Sequence, residues 1–416
     1  MDGKERIQLI TLTHPPTPSP TMKVLILSTT ERTGGGAIAA KRLGVALRKN
    51  GIDAKMLVRD KQTSDTWVYA KGNLIPKILE RLSIMALLFK PLRKTWQYDL
   101  ASHGIDILST KEYQEADVIH LHWINQGMLS LGQLNKILLS GKRVVWTMHD
   151  EWPFRGIIHY PDEGTNHTLT NNPIAWLEQR LFKKKQEIYQ RGDITFVGCS
   201  QWISDLAKQA MPQARVRHIN NCIPQDIFFP QDVKACREAF ALPENAKLIL
   251  FTCQKVTDKR KGMSYLLEAL PHLQSKDIHL VVVGGEAEQV LNSVNGLDKS
   301  RIHFIPYVNG EKEMARLYSA VDCFVTPSLQ DNLPNTIAEA MSCGTPCVGF
   351  NAGGIPEMIT HMHDGYVAKY CDSQDLARGI ECALSHPEWK ETTLSSARKN
   401  YSETNVAKLY SEIYTH

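Results

Sequence analysis

The sequence predicts an α/β protein made of two Rossmann-like, doubly wound parallel-sheet domains facing each other across a cleft. Three observations predict it. Short continuous apolar runs alternate with amphipathic stretches, as buried parallel strands separated by helices require. The alternation occurs as two series, parted by HINNCIPQDIFFPQD, where Pro224, Pro230 and a cluster of Asn, Gln and Asp break both periodicities. Finally, 416 residues are too many for one compact core.

Residues 1–21 end in THPPTPSPT, a proline-rich stretch of low complexity that supports neither a signal peptide nor a folded element, which makes Met22 a candidate start. The first domain, 22–222, opens on the strand KVLILST and the helix GAIAAKRLGVALRKNG, followed by the strands AKMLVRD, ADVIHLHWI, RVVWTMHD and DITFVGCS. The second, 223–416, runs through the strand KLILFTC, the helix GMSYLLEALPHL and the strands IHLVVVGG, IHFIPYV, VDCFVTPS and PCVGF, with a last helix that can pack back on the first domain. Open parallel sheets bind ligands beyond the carboxyl ends of their strands, so a site is expected where those ends meet the cleft.

Composition excludes several classes. A net charge of +4 over this length is too weak to argue for nucleic acid as partner. All nine cysteines lie beyond position 198 with no CxxC, which fits reduced thiols and a cytoplasmic location better than disulfides or zinc. No window approaches the roughly 20 apolar residues of a spanning helix. The glycines of STTERTGGGAIAAKRL do not have GxGxxG spacing, and there is no Walker A sequence.

The stretch PSLQDNLPNTIAEAMSCGTPCVG places Asp331 in a loop at the carboxyl end of VDCFVTPS and Glu339 in the helix that follows. Loop amides and the helix dipole there suit an anionic ligand. A capping box between Thr336 and Glu339 would account for the glutamate by local hydrogen bonding alone. After the next strand, Gly353 and Gly354 of NAGGIPE would bring backbone N–H groups close to a phosphate. In TDKRKGMSYLLEAL three cations precede a helix start, which is either a solvated loop run or an anion site. Three glycines after the first strand, Gly34, Gly35 and Gly36, exceed what a tight turn needs and let a substrate approach. His120 and His122 alternate on one face of a strand and His149 lies at the end of another, which puts three histidines at strand ends facing the same cleft.

PS-x2-D-x7-EA-x3-GTP followed by GGIPE resembles the nucleotide-sugar site of the retaining glycosyltransferases of family 4, which usually show E-x7-E; the likeness covers nearly all of 22–416. It implies the two-domain GT-B fold, with an acceptor-side N-terminal domain and a C-terminal domain for a nucleotide diphosphate sugar. The donor site it implies comprises Gly35, Gly36, Arg260, Lys261, Asp331, Asn332, Leu333, Glu339, Gly353 and Gly354. Asp331, one methylene shorter than the family's glutamate, is assigned to the donor sugar and Glu339 to the ribose. Lys261 before Gly262 matches the phosphate-binding Lys-Gly; Gln254 and Lys255 occupy the place of the companion arginine, for which Arg260 is the substitute. His149 matches the histidine near the reacting sugar, so the catalytic set is His149, Lys261 and Asp331. His122, Trp152 and Phe154 are candidates for the acceptor, the last two with ordinary packing as an equal alternative.

The activity implied is transfer of a sugar to a hydroxyl of a glycan or lipid-linked acceptor with retained configuration, in cell-surface polysaccharide synthesis. No cofactor is expected, and without a DxD sequence no metal. A non-catalytic sugar-nucleotide-binding subunit and a nucleotide-sugar epimerase are the alternatives. The stripe Ile75, Ile78, Leu82, Met85 and Phe89, with Lys77, Arg81, Lys90, Arg93 and Lys94 around it, is either a core-facing helix or one that rests on an anionic membrane. WLEQRLFKKKQEIY is a second basic stretch of the same kind.

Overall fold

The computed structural model describes residues 22–88, 97–160, 175–275, 277–289 and 298–415. Among them, seven strands form one sheet: β1 (Lys23–Thr30), β2 (Asp53–Asp60), β3 (Val68–Ala70), β4 (Val118–Leu121), β5 (Arg143–Met148), β6 (Ile194–Gly198) and β7 (Arg215–His218), in the order β3-β2-β1-β4-β5-β6-β7. Six more form a second: β8 (Lys247–Lys255), β9 (Ile278–Gly285), β10 (Ile302–Ile305), β11 (Cys323–Thr326), β12 (Cys347–Phe350) and β13 (Gly365–Ala368), in the order β10-β9-β8-β11-β12-β13. Every pairing is parallel. The strand order reverses beside β1 and beside β8, and the crevices at those switch points face the space between the domains.

Helix α1 (Gly35–Lys49) shows how the sequence shapes this frame. Its small residues Ala37, Ala39, Ala40 and Ala46 let it lie close to the sheet, with Leu43 and Leu47 filling the gap. A Cβ at Gly44 would meet the Trp67 ring at 2.6 Å, so that contact needs glycine. The helix stops at Asn50 and Gly51, the latter in the left-handed region. Both sheets carry apolar clusters on each face, as doubly wound sheets must.

Four further helices matter for the site. They are α2 (Ile75–Leu88), α3 (Ala175–Tyr189), α4 (Asn335–Ser342) and the last, α5 (Glu403–Thr415). Val406, Ala407, Tyr410 and Tyr414 of α5 share an apolar cluster with Val24, Ile26, Val118 and Val145, so the end of the chain packs on the first domain. The chain passes between domains at two adjacent places, where Ile223 donates its N–H to the carbonyl of Tyr401 at 3.0 Å.

The two basic stretches part company. On α2, Pro76, Glu80, Ile84 and Leu88 face inward, while Ile75, Ile78 and Leu82 are more than half exposed. Arg81 turns inward to Asp99 at 3.5 Å, which removes it from the solvated set; Phe89, Lys90, Arg93 and Lys94 lie outside the described residues. On α3, Lys185 is fully buried, donating to the carbonyls of Trp152 (2.7 Å) and Arg155 (2.9 Å) with its ammonium over the Trp152 ring. Burial drives its pKa well below the usual lysine range.

Candidate active site

A cleft of about 1890 Å³ separates the domains and is walled by both. A pocket for one small ligand spans roughly 300–1,000 Å³, so this one has room for two substrates side by side.

On the C-terminal wall, Asp258 accepts from the N–H of Arg260 and starts a 3-10 turn over Lys259–Lys261. Gly262 ends the turn at φ +73°, where a Cβ would lie 1.8 Å from the carbonyl oxygen of Pro327. That close approach brings Lys261 alongside the loop after β11, and its Nζ donates to Oδ2 of Asp331 at 2.6 Å. Arg260 covers the Tyr160 ring at 5.4 Å.

Glu339 sits on α4, whose N-cap is Pro334 with no side-chain cap, so the Thr336–Glu339 capping box does not form. Instead Oε1 accepts from Nη2 of Arg42 at 2.8 Å and Oε2 from the hydroxyl of Tyr318 at 3.0 Å. Arg42 comes from α1 of the other domain and also pairs with Glu311 at 2.7 Å. Burial would lower its pKa, but the two carboxylates outweigh that and raise it. Burial and then Glu339 push Tyr318 well above its usual range.

On the N-terminal wall, Gly35 and Gly36 line the cleft. The carbonyl of Gly35 accepts from Asn335 at 3.0 Å, and a Cβ at Gly36 would meet the ring of His149 at 2.9 Å. Nε2 of His149 is hydrogen-bonded to Nδ1 of His122 at 2.9 Å. Behind them, His120 bridges the hydroxyls of Tyr414 (2.7 Å) and Thr147 (2.8 Å). Burial holds His149 down at about 4, partly offset by Asp150; burial and then the neighbouring His149 hold His120 at about 3. Burial, and then the neighbouring His120 and His149, hold His122 well below the usual imidazole range, so all three rings are neutral near pH 7.

The structure thus brings Gly35, Gly36, His149, Arg260, Lys261, Asp331, Asn332, Leu333 and Glu339, from both domains, into the wall of one cleft. It corrects four other expectations. Gly353 and Gly354 are absent from that wall: their Cβ positions would fall 1.9 and 1.8 Å from the carbonyl oxygens of Asp331 and Asn332, so these glycines buttress the Asp331 loop. The N–H of Gly354 is already given to Asp331 O at 3.0 Å. Trp152 and Phe154 offer no stacking surface, because both are buried in the first domain's core, with the indole N–H of Trp152 bonded to Asp99 O. His122 reaches the cleft only through His149, and His120 lies beneath α5 rather than facing the cleft. Asn332 lines the cleft, but its amide is spent on Ser200, Met148 and Cys199 across the domain boundary.

Sequence reading missed Arg42, Asp150, His159, Trp123 and Tyr318, all of which line the cleft. One signal was available for Arg42: it interrupts the buried face of α1, between Ala40 and Leu43.

With this geometry in place, comparison with known proteins decides the family. Residues 33–226 match the family model described as Glycosyltransferase Family 4, and residues 246–386 the one described as Glycosyl transferases group 1. The chain is a family-4, group-1 glycosyltransferase. Among its relatives, D-inositol 3-phosphate glycosyltransferase of Saccharomonospora viridis is 23% identical over 393 residues, covering 89% of this chain and 86% of that one. N-acetyl-alpha-D-glucosaminyl L-malate synthase of Bacillus anthracis is 21% identical over 325 residues, covering 76% and 79%. An uncharacterised glycosyltransferase of Methanocaldococcus jannaschii, 29% identical, aligns over 43% of this chain and 47% of its own length. Among solved structures, sucrose-phosphate synthase of Thermosynechococcus elongatus superposes with a TM-score of 0.64 at 17% identity, covering 95% of this chain and 98% of that one. Anabaena HepE in complex with UDP-glucose gives 0.65 at 16%, covering 95% and 99%. The two-domain fold of this glycosyltransferase is therefore GT-B.

Proposed function

We propose that this glycosyltransferase moves a hexose from a nucleotide diphosphate sugar to a hydroxyl of a glycan or lipid-linked acceptor, with retained configuration and without a metal ion, in the assembly of cell-surface polysaccharide. The observation that carries the reading is the Lys261–Asp331 pair across the cleft from His149, a cation for a diphosphate beside an acid for a sugar. As the bond to the sugar breaks, negative charge grows on the diphosphate, and Lys261 with Arg260 stabilises it. Asp331 accepts from sugar hydroxyls and holds the anomeric carbon in register. Retention is what the family likeness implies. A nucleotide sugar as donor is supported by the neighbour solved with UDP-glucose. The exposed Ile75, Ile78, Leu79, Leu82 and Leu87 of α2 support a contact with the cytoplasmic membrane face, where a lipid-linked acceptor would be presented.

The test is a panel of nucleotide sugars assayed with and without acceptor, with and without EDTA. Consumption that requires acceptor, survives EDTA and yields the retained anomer by NMR is the expected result. Turnover independent of acceptor that gives an epimer, or binding without turnover, would replace this reading with an epimerase or a binding subunit.

A further inference from the structure

Among the described residues, Oε2 of Glu31 and Nε2 of His159 are buried on the N-terminal wall without a protein partner, and the functional reading above does not use them. Glu31, just past β1, gives Oε1 to the N–H groups of Gln62 (2.5 Å) and Thr63 (2.7 Å), while Oε2 is buried and unpaired. His159, in the segment after β5, is hydrogen-bonded through Nδ1 to Oδ2 of Asp150 at 2.7 Å, and its Nε2 is buried and unpaired. Trp123, just past β4, fixes its indole N–H on the same Asp150 oxygen at 3.1 Å, and its ring lies 5.8 Å from that of His159. Strands β1 and β4 are neighbours in the sheet, where Thr29 donates its N–H to the carbonyl of Trp123 at 2.8 Å, and Glu31, Trp123 and His159 all line the cleft.

We propose that Glu31, Trp123 and His159 form the acceptor subsite, and that it takes a neutral, hydroxyl-rich group, a sugar ring of a glycan. The proposal rests on the transferase reading above. An unpaired buried polar atom is costly, and a ligand that supplies its missing partner recovers that cost. Asp150 is a carboxylate, kept so because His159, Trp152 N–H and Trp123 outweigh the effect of burial. It accepts from Nδ1–H of His159, which leaves Nε2 to bond a ligand. Glu31 Oε2 is an acceptor, so the subsite asks for at least one O–H donor, and a hydroxyl can meet Nε2 of His159 either as donor or as acceptor. The partly exposed indole beside His159 suits the C–H face of a pyranose. A phosphate or carboxylate would bring acceptors and a negative charge against Glu31, which disfavours it.

The test uses the full chain and a donor from the panel above. Transfer is measured to octyl β-glycosides of glucose, galactose and N-acetylglucosamine, and to inositol 3-phosphate and L-malate. Expected is transfer to at least one neutral glycoside, with kcat/KM at least about tenfold above either anionic acceptor, the scale of one or two hydrogen bonds. Glu31→Gln and His159→Gln should each raise the KM for that glycoside by about tenfold, the cost of one buried hydrogen bond to a fixed partner, while calorimetric binding of UDP, GDP or ADP stays parental. A parent enzyme that transfers only to the anionic acceptors, or to none of these, overturns the subsite while the transferase reading stands on donor turnover. Parental KM in folded Glu31→Gln overturns it too, and serves if His159→Gln does not fold. No turnover of any donor removes the underlying reading and the proposal with it.

Discussion

A methyl group at Gly262 would have nowhere to go, since the Pro327 carbonyl is 1.8 Å from the Cβ position and the backbone is in the left-handed region. Gly262→Ala is expected to cost about 1–3 kcal/mol, read in urea melts, and to pull Lys261 away from Asp331. Lys261→Ala itself should leave the fold intact and lower turnover about a hundredfold, as for the loss of one preorganised electrostatic donor. Parental turnover in that variant would make the KRK run a solvated loop. Glu339→Gln tests the ribose assignment. With no capping box to preserve, the variant loses the charge that holds Arg42, and weaker binding of both nucleoside diphosphate and full donor is expected by calorimetry. Lys261, Asp331 and Glu339 were legible because each follows a strand end in a fixed local pattern. Arg42 was not, because its partners Glu311 and Glu339 lie in the other domain and no spacing in the chain records that meeting.

Helix α5 lends its tyrosines to the histidine row of the opposite domain. Tyr414→Phe deletes the hydroxyl on Nδ1 of the fully buried His120 and should cost about 1 kcal/mol, the price of one buried hydrogen bond, seen as a lower melting temperature. The same row predicts how stability follows pH. Folding holds His149 at about 4 and His120 at about 3, against 6.5 for a free imidazole. Between those values the unfolded chain binds protons that the folded chain does not. The stability tied to neutral rings is therefore whole above pH 6.5 and falls as pH drops toward 4. Melting temperature should decline from pH 6.5 to 5, above the range where ordinary carboxylates titrate, and His149→Gln should flatten that decline. For α2, the measurement is sedimentation with anionic vesicles: Leu79→Ser with Leu82→Ser should release the protein, and equal binding would leave the stripe without a membrane role. At this scale the strands were readable as apolar runs because both faces of each sheet are covered. The orientation of Trp152, Phe154 and Lys185 was not, because a basic amphipathic stretch reads the same whether its lysine meets water or a buried indole.

Among the polar contacts that join the domains are Arg42 to Glu311 and Glu339, Asn332 to Ser200, and an exposed one from Glu357 to the N–H groups of Gln201 and Trp202 at 2.6 Å. Removing one partner of a buried ion pair strands the other, so Arg42→Met should destabilise the chain by about 3–5 kcal/mol, and Arg42→Met with Glu339→Gln by less than the sum. A double-mutant cycle in urea measures this, and strict additivity would show that the pair does not couple the domains. The same closed accounting holds at Lys261 and Asp331, which neutralise each other at 2.6 Å. A free nucleoside diphosphate can take Lys261 only by leaving Asp331 bare, whereas a whole nucleotide sugar supplies phosphate for the one and hydroxyls for the other. On the transferase reading, once the sugar has left, Asp331 regains its claim on Lys261 and loosens the spent diphosphate, so the two residues that seat the donor also hasten the exit of the product.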